Sequence, residues 1–160
     1  MLTLREPNLI DIALCAANLI PEDRDQWQEL TGQPYDPSAV ASECWGYAGP
    51  KWAICAEDGL PLAVAGCRLM RPHVYQSWFL SGPELWTHGG EITALTRNVM
   101  MRVLHGTDGH PGANRIETLC LADRCKTRAW YEQVGLHLEA EFKQYGTSGR
   151  DFVQYTVHRG

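Results

Sequence analysis

Apolar residues recur at intervals of three and four along several stretches of this chain, which is the spacing of an amphipathic helix. The stretch that begins at Asn8 shows this spacing clearly. A later one places Ile92, Leu95 and Val99 on one helical face. The four predicted helices span 8–20, 23–30, 91–105 and 123–135, the last with Asp123 as its cap and Gly135 at its end.

Short apolar runs bounded by turn residues predict strands between these helices. The seven predicted strands span 2–5, 52–56, 62–67, 74–80, 115–121, 138–145 and 152–157. Glu57-Asp58-Gly59 favours a tight hairpin turn between the second and third strands. Glycines and prolines mark loops over 32–37 and 106–112. The predicted order is β-α-α-β-β-β-α-β-α-β-β.

The composition is that of one globular domain, which we expect to span residues 1–160. Of the 160 residues, 44% are hydrophobic and 21% are charged, so disorder is not expected. The net charge of -5 argues against direct binding of nucleic acid or of an anionic membrane surface. No apolar run is long enough for a spanning helix, and the N-terminus does not resemble a signal peptide. We therefore expect a soluble protein kept in a cytoplasm.

Cysteines and histidines are scattered along the sequence. No two of the six cysteines have the two-residue gap of a zinc knuckle or a redox motif, and no histidines are paired on one helical face. Most cysteines lie within apolar runs, so they are expected to be free and buried. The sequence predicts no metal site.

A motif in the C-terminal half resembles the GNAT N-acetyltransferase family. Residues 129–136 look like that family's helix ending in Tyr, three residues, Gly and a large apolar residue, with Tyr131 and Gly135 at the matching positions. The predicted element order is also that of the GNAT fold. The resemblance implies an α/β domain with a single mixed, mostly antiparallel twisted sheet flanked by helices. It also implies acetyl-CoA as cofactor and an amine as acceptor.

The cofactor loop of that family matches this chain only in part. The family holds the pyrophosphate of acetyl-CoA with a Gly-rich loop before a helix. The corresponding stretch has two adjacent glycines, lacks the family's spacing, and has Glu91 in the first helical turn, where a carboxylate competes with phosphate. A capped helix is therefore favoured over a phosphate site. If the protein is active, the cofactor-binding candidates are Thr87, His88, Gly89 and Gly90.

Two residues are candidates for catalysis if the protein is active. Tyr131 occupies the position of the family's general acid, and its phenol suits a thiolate leaving group, although a tyrosine there also suits the core. His73, beside Pro72, would titrate near neutral pH, although a lone loop histidine usually has no such role. The predicted central strands carry no acid that would act as a base. A basic face of Arg124, Lys126 and Arg128 is expected to be solvated or to dock an acidic partner.

A closer resemblance is to the GNAT-like internal virion proteins of T7-like podoviruses. It rests on residues 60–66, on Ser77-Trp78-Phe79-Leu80 with Trp86 following, and on the arm 151–160. It implies a non-catalytic structural protein without a cofactor. Such a protein is assembled in the host cytoplasm, resides in the virion and binds other virion proteins or a second copy.

Three aromatic residues in predicted Gly-rich loops are the partner-binding candidates: Trp45, Tyr47 and Trp86. Aromatic side chains in such loops either anchor a protein partner or cover the open side of the sheet. The sequence therefore favours a non-catalytic virion protein. The alternative is an acetyl-CoA-dependent N-acetyltransferase with an atypical pyrophosphate loop. A third hypothesis is a regulatory module that binds a host protein.

Overall fold

The secondary structure comes from a computed structural model that describes residues 1–106, 109 and 111–159. The predicted loop over 106–112 falls partly outside these residues. The strands are β1 (Thr3–Arg5), β2 (Lys51–Cys55), β3 (Pro61–Arg71), β4 (Val74–Ser81), β5 (Arg115–Leu121), β6 (His137–Phe142) and β7 (Phe152–His158). The helices are α1 (Leu9–Ala17), α2 (Pro21–Thr31), α3 (Pro37–Gly46), α4 (Gly89–His105) and α5 (Cys125–Gln133). A 3-10 helix, Pro83–His88, immediately precedes α4.

All seven strands join one sheet in the order β1-β2-β3-β4-β5-β7-β6. Every neighbouring pair is antiparallel except β4 and β5, which are parallel because α4 forms the crossover between them. The β4–β5 pairing covers only three residues, from Val74 opposite Arg115 to Gln76 opposite Glu117. The predicted fold class, a mixed and mostly antiparallel sheet flanked by helices, is confirmed.

The helices cover the two faces of the sheet. Residues of α1 and α3, such as Ile12 and Val40, pack with Leu80 of β4 on one face, together with Trp27 of α2. On the other face, Met100 of α4 packs with Ile116 of β5 and with the residues that follow α5. We refer to these as the α1–α3 face and the α4–α5 face. No helix in the described part of the chain is long and apolar enough to span a bilayer.

Helix α3 is a correction to the sequence prediction, which assigned residues 32–37 to a loop and continued without a helix to the second strand. Pro37 begins the helix at its first position, where the missing N–H costs nothing. The Asp36 side chain caps it by accepting hydrogen bonds from Ser38 N at 3.0 Å and Ala39 N at 3.4 Å. Trp45 therefore lies in a helix and Tyr47 at its end, while Trp86 lies in the 3-10 helix rather than in a loop.

The predicted ends of α5 and β6 also need correction. The cap position of α5 is Arg124, without a side-chain cap, and Asp123 instead accepts a hydrogen bond from Arg150 at 3.1 Å. Gly135 has the left-handed backbone expected after a helix, with φ of +101°. Strand β6 ends at Phe142 rather than at Tyr145.

The six cysteines are all free, as predicted. Five are buried, and burial raises the pKa of Cys15, Cys44 and Cys67 to about 12. Cys125, at the start of α5, is exposed. The expectation of burial therefore holds for five cysteines and not for Cys125.

Candidate functional site

The sheet opens between β4 and β5 where their short pairing ends. Just beyond the last pair, the hydroxyls of Ser77 and Thr118 share a hydrogen bond across the two strands. Farther along, Gln26 of α2 takes the place of a neighbouring strand for β5. Its amide nitrogen donates to Leu119 O at 3.2 Å, and its amide oxygen accepts from Leu121 N at 3.2 Å. The Gln26 side chain therefore supplies the hydrogen bonds that a neighbouring strand would otherwise make to this edge of β5.

A cavity of about 1040 Å³ occupies this opening. It is lined from both faces of the sheet. The α4–α5 face contributes Thr96, Met100, Trp130 and Tyr131, and the α1–α3 face contributes Trp27, Tyr47, Arg68 and Trp78. The opening thus joins the two faces through one cavity, in which molecules approaching from opposite sides would meet.

Tyr131 lines this cavity, and its hydroxyl has no hydrogen-bond partner among the described residues. The ring is half-buried and packs against Tyr155 at 5.4 Å and Trp130 at 6.1 Å between centroids. Its hydroxyl makes no hydrogen bond with any residue that the structure describes. Burial raises the pKa of the Tyr131 phenol above its usual range, so the group stays protonated at neutral pH. Tyr131 is therefore a proton-bearing group at the centre of the cavity.

The start of α4 is open to solvent. Gly89 and Gly90 are exposed, and a Cβ built at either would meet no atom within 4 Å. The carboxylate of Glu91 is engaged by the residue before β1, because Leu2 N donates to its two oxygens at 3.0 and 3.2 Å. His88 Nδ1 lies 3.8 Å from the same carboxylate. Glu91 is therefore held at the β1 side of the helix start.

A smaller cavity of about 460 Å³ lies beside these glycines. Its walls include Gly89, Gly90, Thr93 and Arg97, with Trp86 and Trp130 on the side of the larger cavity. Thr87 is not among the residues that line it, because its hydroxyl donates to Glu84 O at 2.7 Å. The four predicted cofactor-binding residues thus divide, with Gly89 and Gly90 lining the smaller cavity and Thr87 and His88 outside it.

Two tryptophans separate the larger cavity from the smaller one. The rings of Trp86 and Trp130 meet edge to face at 5.1 Å between centroids. Trp130 Nε1 donates to Thr93 Oγ1 at 3.1 Å, which joins α5 to the first turns of α4. Phe79 of β4 packs against both rings, at 6.1 and 5.9 Å. The aromatic cluster of Phe79, Trp86 and Trp130 therefore packs between the larger and the smaller cavity, and two of its rings line both.

The structure does not bring His73 to this site. His73 lies in the turn between β3 and β4, with φ of +65°, at the end where the two central strands are still paired. Its Nδ1 is 3.0 Å from Gly112 O. Trp45 is exposed on α3 and does not line the cavity, whereas Tyr47 and Trp86 do.

Carboxylates that the sequence did not assign line the cavity from the α1–α3 face. Asp23 of α2 pairs with Arg124 at 2.7 Å. Burial raises the pKa of Asp23, and the Arg124 charge opposes that shift. The expected solvated basic face is therefore wrong for Arg124, and also for Arg128, which donates to Tyr155 Oη at 3.0 Å and Ala122 O at 2.8 Å.

Arg68 and Trp78 were also missed. The Arg68 guanidinium lies 4.6 Å from the Tyr47 ring centroid and makes no hydrogen bond or ion pair with another described residue. Trp78 Nε1 is buried and has no hydrogen-bond partner among the described residues. No sequence signal identifies this pair, since their proximity depends on the register of β3 and β4. No group of three or more His, Cys, Asp or Glu side chains suited to a metal occurs within the described ranges.

Comparison with known proteins gives matches only among solved structures. No family model matches the chain, and no curated protein matches its sequence. A spermidine N-acetyltransferase from Vibrio cholerae, solved in complex with CoA and spermine, is 14% identical in sequence to this chain and superposes on it with a TM-score of 0.75. The alignment covers 98% of this chain and 95% of the acetyltransferase.

Two acetyltransferases of the GNAT family are similar to the same extent. The one from Bacillus anthracis is 13% identical with a TM-score of 0.71, covering 98% of this chain and 94% of its own. The one from Streptococcus pneumoniae is 14% identical with a TM-score of 0.69 and covers 100% of each chain. At these identities the likeness shows the fold, which is that of the GNAT acetyltransferases.

Proposed function

We propose that this protein is an N-acyltransferase that uses an acyl-CoA as donor. The observation that carries the proposal is the cavity through the opening between β4 and β5, which residues of both sheet faces line and at which the free Tyr131 hydroxyl lies. Such a cavity suits a reaction between two molecules that enter from opposite faces. The fold that the chain shares with acetyltransferases agrees with this use.

The start of α4 fits the pyrophosphate of an acyl-CoA. Two exposed glycines begin this 17-residue helix, and a helix N-terminus attracts anions. Arg97 lines the adjacent cavity and adds a positive charge. Glu91 opposes this, but its carboxylate is engaged by Leu2 N. When bound, the acyl-CoA supplies the thioester.

Tyr131 would serve as the acid of the reaction. Its hydroxyl has no partner among the described residues, and a tyrosine phenol carries its proton at neutral pH. A protonated phenol at the opening can donate a hydrogen bond and then a proton to a leaving group placed there. Replacement Tyr131→Phe keeps the ring and removes that proton.

Calorimetric titration with acetyl-CoA tests the proposal. We expect a Kd below about 100 μM for the wild-type protein. Gly90→Asp places a carboxylate at the start of α4 and should weaken binding about tenfold or more, because it repels the pyrophosphate. Gly90→Ala is the matched control, since its Cβ meets no atom within 4 Å. No binding at millimolar acetyl-CoA would contradict the proposal.

A kinetic measurement then separates binding from catalysis. For an amine that proves to be an acceptor, Tyr131→Phe should lower kcat about 100-fold while leaving the acetyl-CoA Kd within about twofold. Equal loss of kcat and of acetyl-CoA affinity would instead assign Tyr131 a binding role.

The second candidate is the non-catalytic one, a structural protein of a podovirus virion that binds other virion proteins. The observation that favours it is the cluster of Phe79, Trp86 and Trp130, which packs between the larger and the smaller cavity. The three structures named above are acetyltransferases, so the virion assignment depends on sequence resemblance. Absence of acetyl-CoA binding, with Trp86→Ala failing to restore it, would favour this candidate.

A further inference from the structure

We propose that the α1–α3 half of the cavity binds a carboxylate, so that the acceptor is an amine that carries one, such as an amino acid or an amino-acid derivative. Arg68 would hold that carboxylate, and the Trp78 ring would lie beside it. This inference rests on the proposed function in so far as the ligand is an acceptor. The carboxylate site itself can be tested without a cofactor.

The sheet register brings Arg68 and Trp78 to the same surface. Gly66 is opposite Trp78, and Arg68 is opposite Gln76, in the antiparallel pair of β3 and β4. Because side chains alternate along a strand, these residues share one face of the sheet. All four of them line the cavity. The Arg68 guanidinium, the Trp78 ring and the Gln76 side chain therefore lie on one wall.

The position of the Trp78 indole is fixed by its surroundings. A Cβ on Gly66 would lie 2.5–2.6 Å from three ring atoms, so the ring rests directly on the bare glycine backbone. Tyr47 packs edge to face against it at 6.0 Å. The indole N–H is buried and has no acceptor among the described residues. Its spectral signal therefore responds to a ligand that packs against the exposed part of the ring.

The positive charge of Arg68 is not paired with a carboxylate of any described residue. The nearby Glu43 carboxylate accepts a hydrogen bond from the Tyr47 hydroxyl at 2.8 Å and forms no ion pair with Arg68. Of the other acids that line the cavity, Asp23 is paired with Arg124, and Asp25 and Asp123 are paired with Arg150. Glu22 forms no ion pair with a described residue, Arg68 included. A half-buried guanidinium over an aromatic ring is suited to bind a carboxylate with two parallel hydrogen bonds.

The rest of the wall indicates what accompanies the carboxylate. Trp27, Tyr47 and Trp78 line this half of the cavity with aromatic surface. An apolar or aromatic group next to the carboxylate would therefore be buried favourably. L-Phenylalanine combines all three features, namely an amine, a carboxylate and an apolar side chain. It is a suitable probe together with two analogues that each lack one charged group.

The Trp78 indole signal in a proton–nitrogen correlation spectrum tests the proposal. The chain has six tryptophans, so Trp78→Phe identifies the signal by its disappearance. We expect L-phenylalanine and hydrocinnamate, which both carry a carboxylate, to shift the signal below about 20 mM. Phenethylamine, which lacks the carboxylate, and inorganic phosphate should leave it in place. A shift caused equally by phenethylamine or by phosphate would overturn the carboxylate assignment, as would no shift by either carboxylate.

Arg68→Gln then tests the charge. It should weaken hydrocinnamate binding about tenfold or more, because a charge-assisted pair is lost. Arg71→Gln, an exposed arginine at the end of the same strand, should change the affinity by less than about twofold. Unchanged affinity in a folded Arg68→Gln protein would overturn the proposal. Failure of acetyl-CoA to bind would contradict the proposed function and leave the Trp78 result standing, so the two can fail separately.

Discussion

Gly66 is the residue on which the placement of the Trp78 indole depends. Its missing Cβ lets the ring lie against β3, and it is fully covered by that ring. Trp78 in turn packs with Tyr47, at the end of α3. Because Gly66 has no side chain, the Trp78 ring can lie on β3 and pack against Tyr47 at the end of α3.

Gly66→Ala should destabilise the protein by about 1–3 kcal/mol, because the indole must shift within a packed wall. Gly46→Ala is the matched control. Gly46 has no atom within 4 Å of a built Cβ and ends α3, so alanine there should be neutral or stabilising by about 0.5–1 kcal/mol. Urea unfolding of the three proteins measures both values. Equal stability of both variants would show that the ring moves without cost.

Single residues differ in how far the sequence reveals them. Tyr131 is recognisable because a motif places it on a helix that ends at Gly135. Arg68 and Trp78 are not, because neither lies in a motif and their proximity follows from the pairing of β3 with β4. Site residues that lie together along the chain were therefore predicted, and those that the register brings together were not.

Helix α2 is attached to the rest of the protein mainly by polar contacts. Glu29 is its one buried residue, and the Glu29 carboxylate accepts a hydrogen bond from Ser148 N at 3.2 Å. Asp25 pairs with Arg150 at 2.6 Å. Gln26 bonds to β5 and accepts from Arg124 at 2.9 Å. The helix therefore closes its side of the cavity through hydrogen bonds to the C-terminal half.

Gln26→Leu should cost about 1–3 kcal/mol of unfolding free energy, since it leaves the Leu119 carbonyl and the Leu121 amide without partners. Hydrogen exchange at the Leu121 amide should become faster. Gln33→Leu is the control, because this exposed glutamine follows the same helix and its side chain makes no hydrogen bond with a described residue; it should change stability by less than about 0.5 kcal/mol. Unchanged exchange at Leu121 in the Gln26 variant would contradict this role of the side chain.

At the scale of elements, periodicity predicted the strands and the longer helices and failed at α3. That helix has a proline at its start, a glycine at its end and little apolar periodicity between them. Its formation depends on the Asp36 cap and on packing of Val40 and Cys44 against α1. The 3-10 helix before α4 was missed for the same reason, because Gly82 and Pro83 also suit a loop.

The whole molecule should lose stability in acid. Hydrogen bonds from Arg5 lower the pKa of Asp11, and those from Arg115 lower the pKa of Glu139 to about 2. Their stabilising contribution is present above the unfolded values of about 4 and is lost as the pH falls through the folded ones. Asp23, with its raised pKa, acts in the opposite sense. The urea midpoint should therefore fall between about pH 5 and pH 2.

Asp11→Asn should reduce that fall and lower stability at neutral pH by about 1–3 kcal/mol, because Asp11 is buried and holds both Arg5 and Asn8 N. Glu132→Gln is the control, since this exposed side chain makes no hydrogen bond within the described part of the chain. If the urea midpoints of the wild-type, Asp11→Asn and Glu132→Gln proteins fall equally as the pH is lowered, Asp11 does not contribute to the acid sensitivity.

The order of the sheet has a consequence for behaviour at high concentration. Its two outer strands are β1 and β6. Strand β1 has three residues and is followed by Pro7, which has no N–H to offer a further strand. Strand β6 carries Glu139 and Glu141, with a register irregularity between Leu138 and Ala140. Copies of the protein are therefore poorly able to polymerise by strand addition, and crowding should not drive them into fibres.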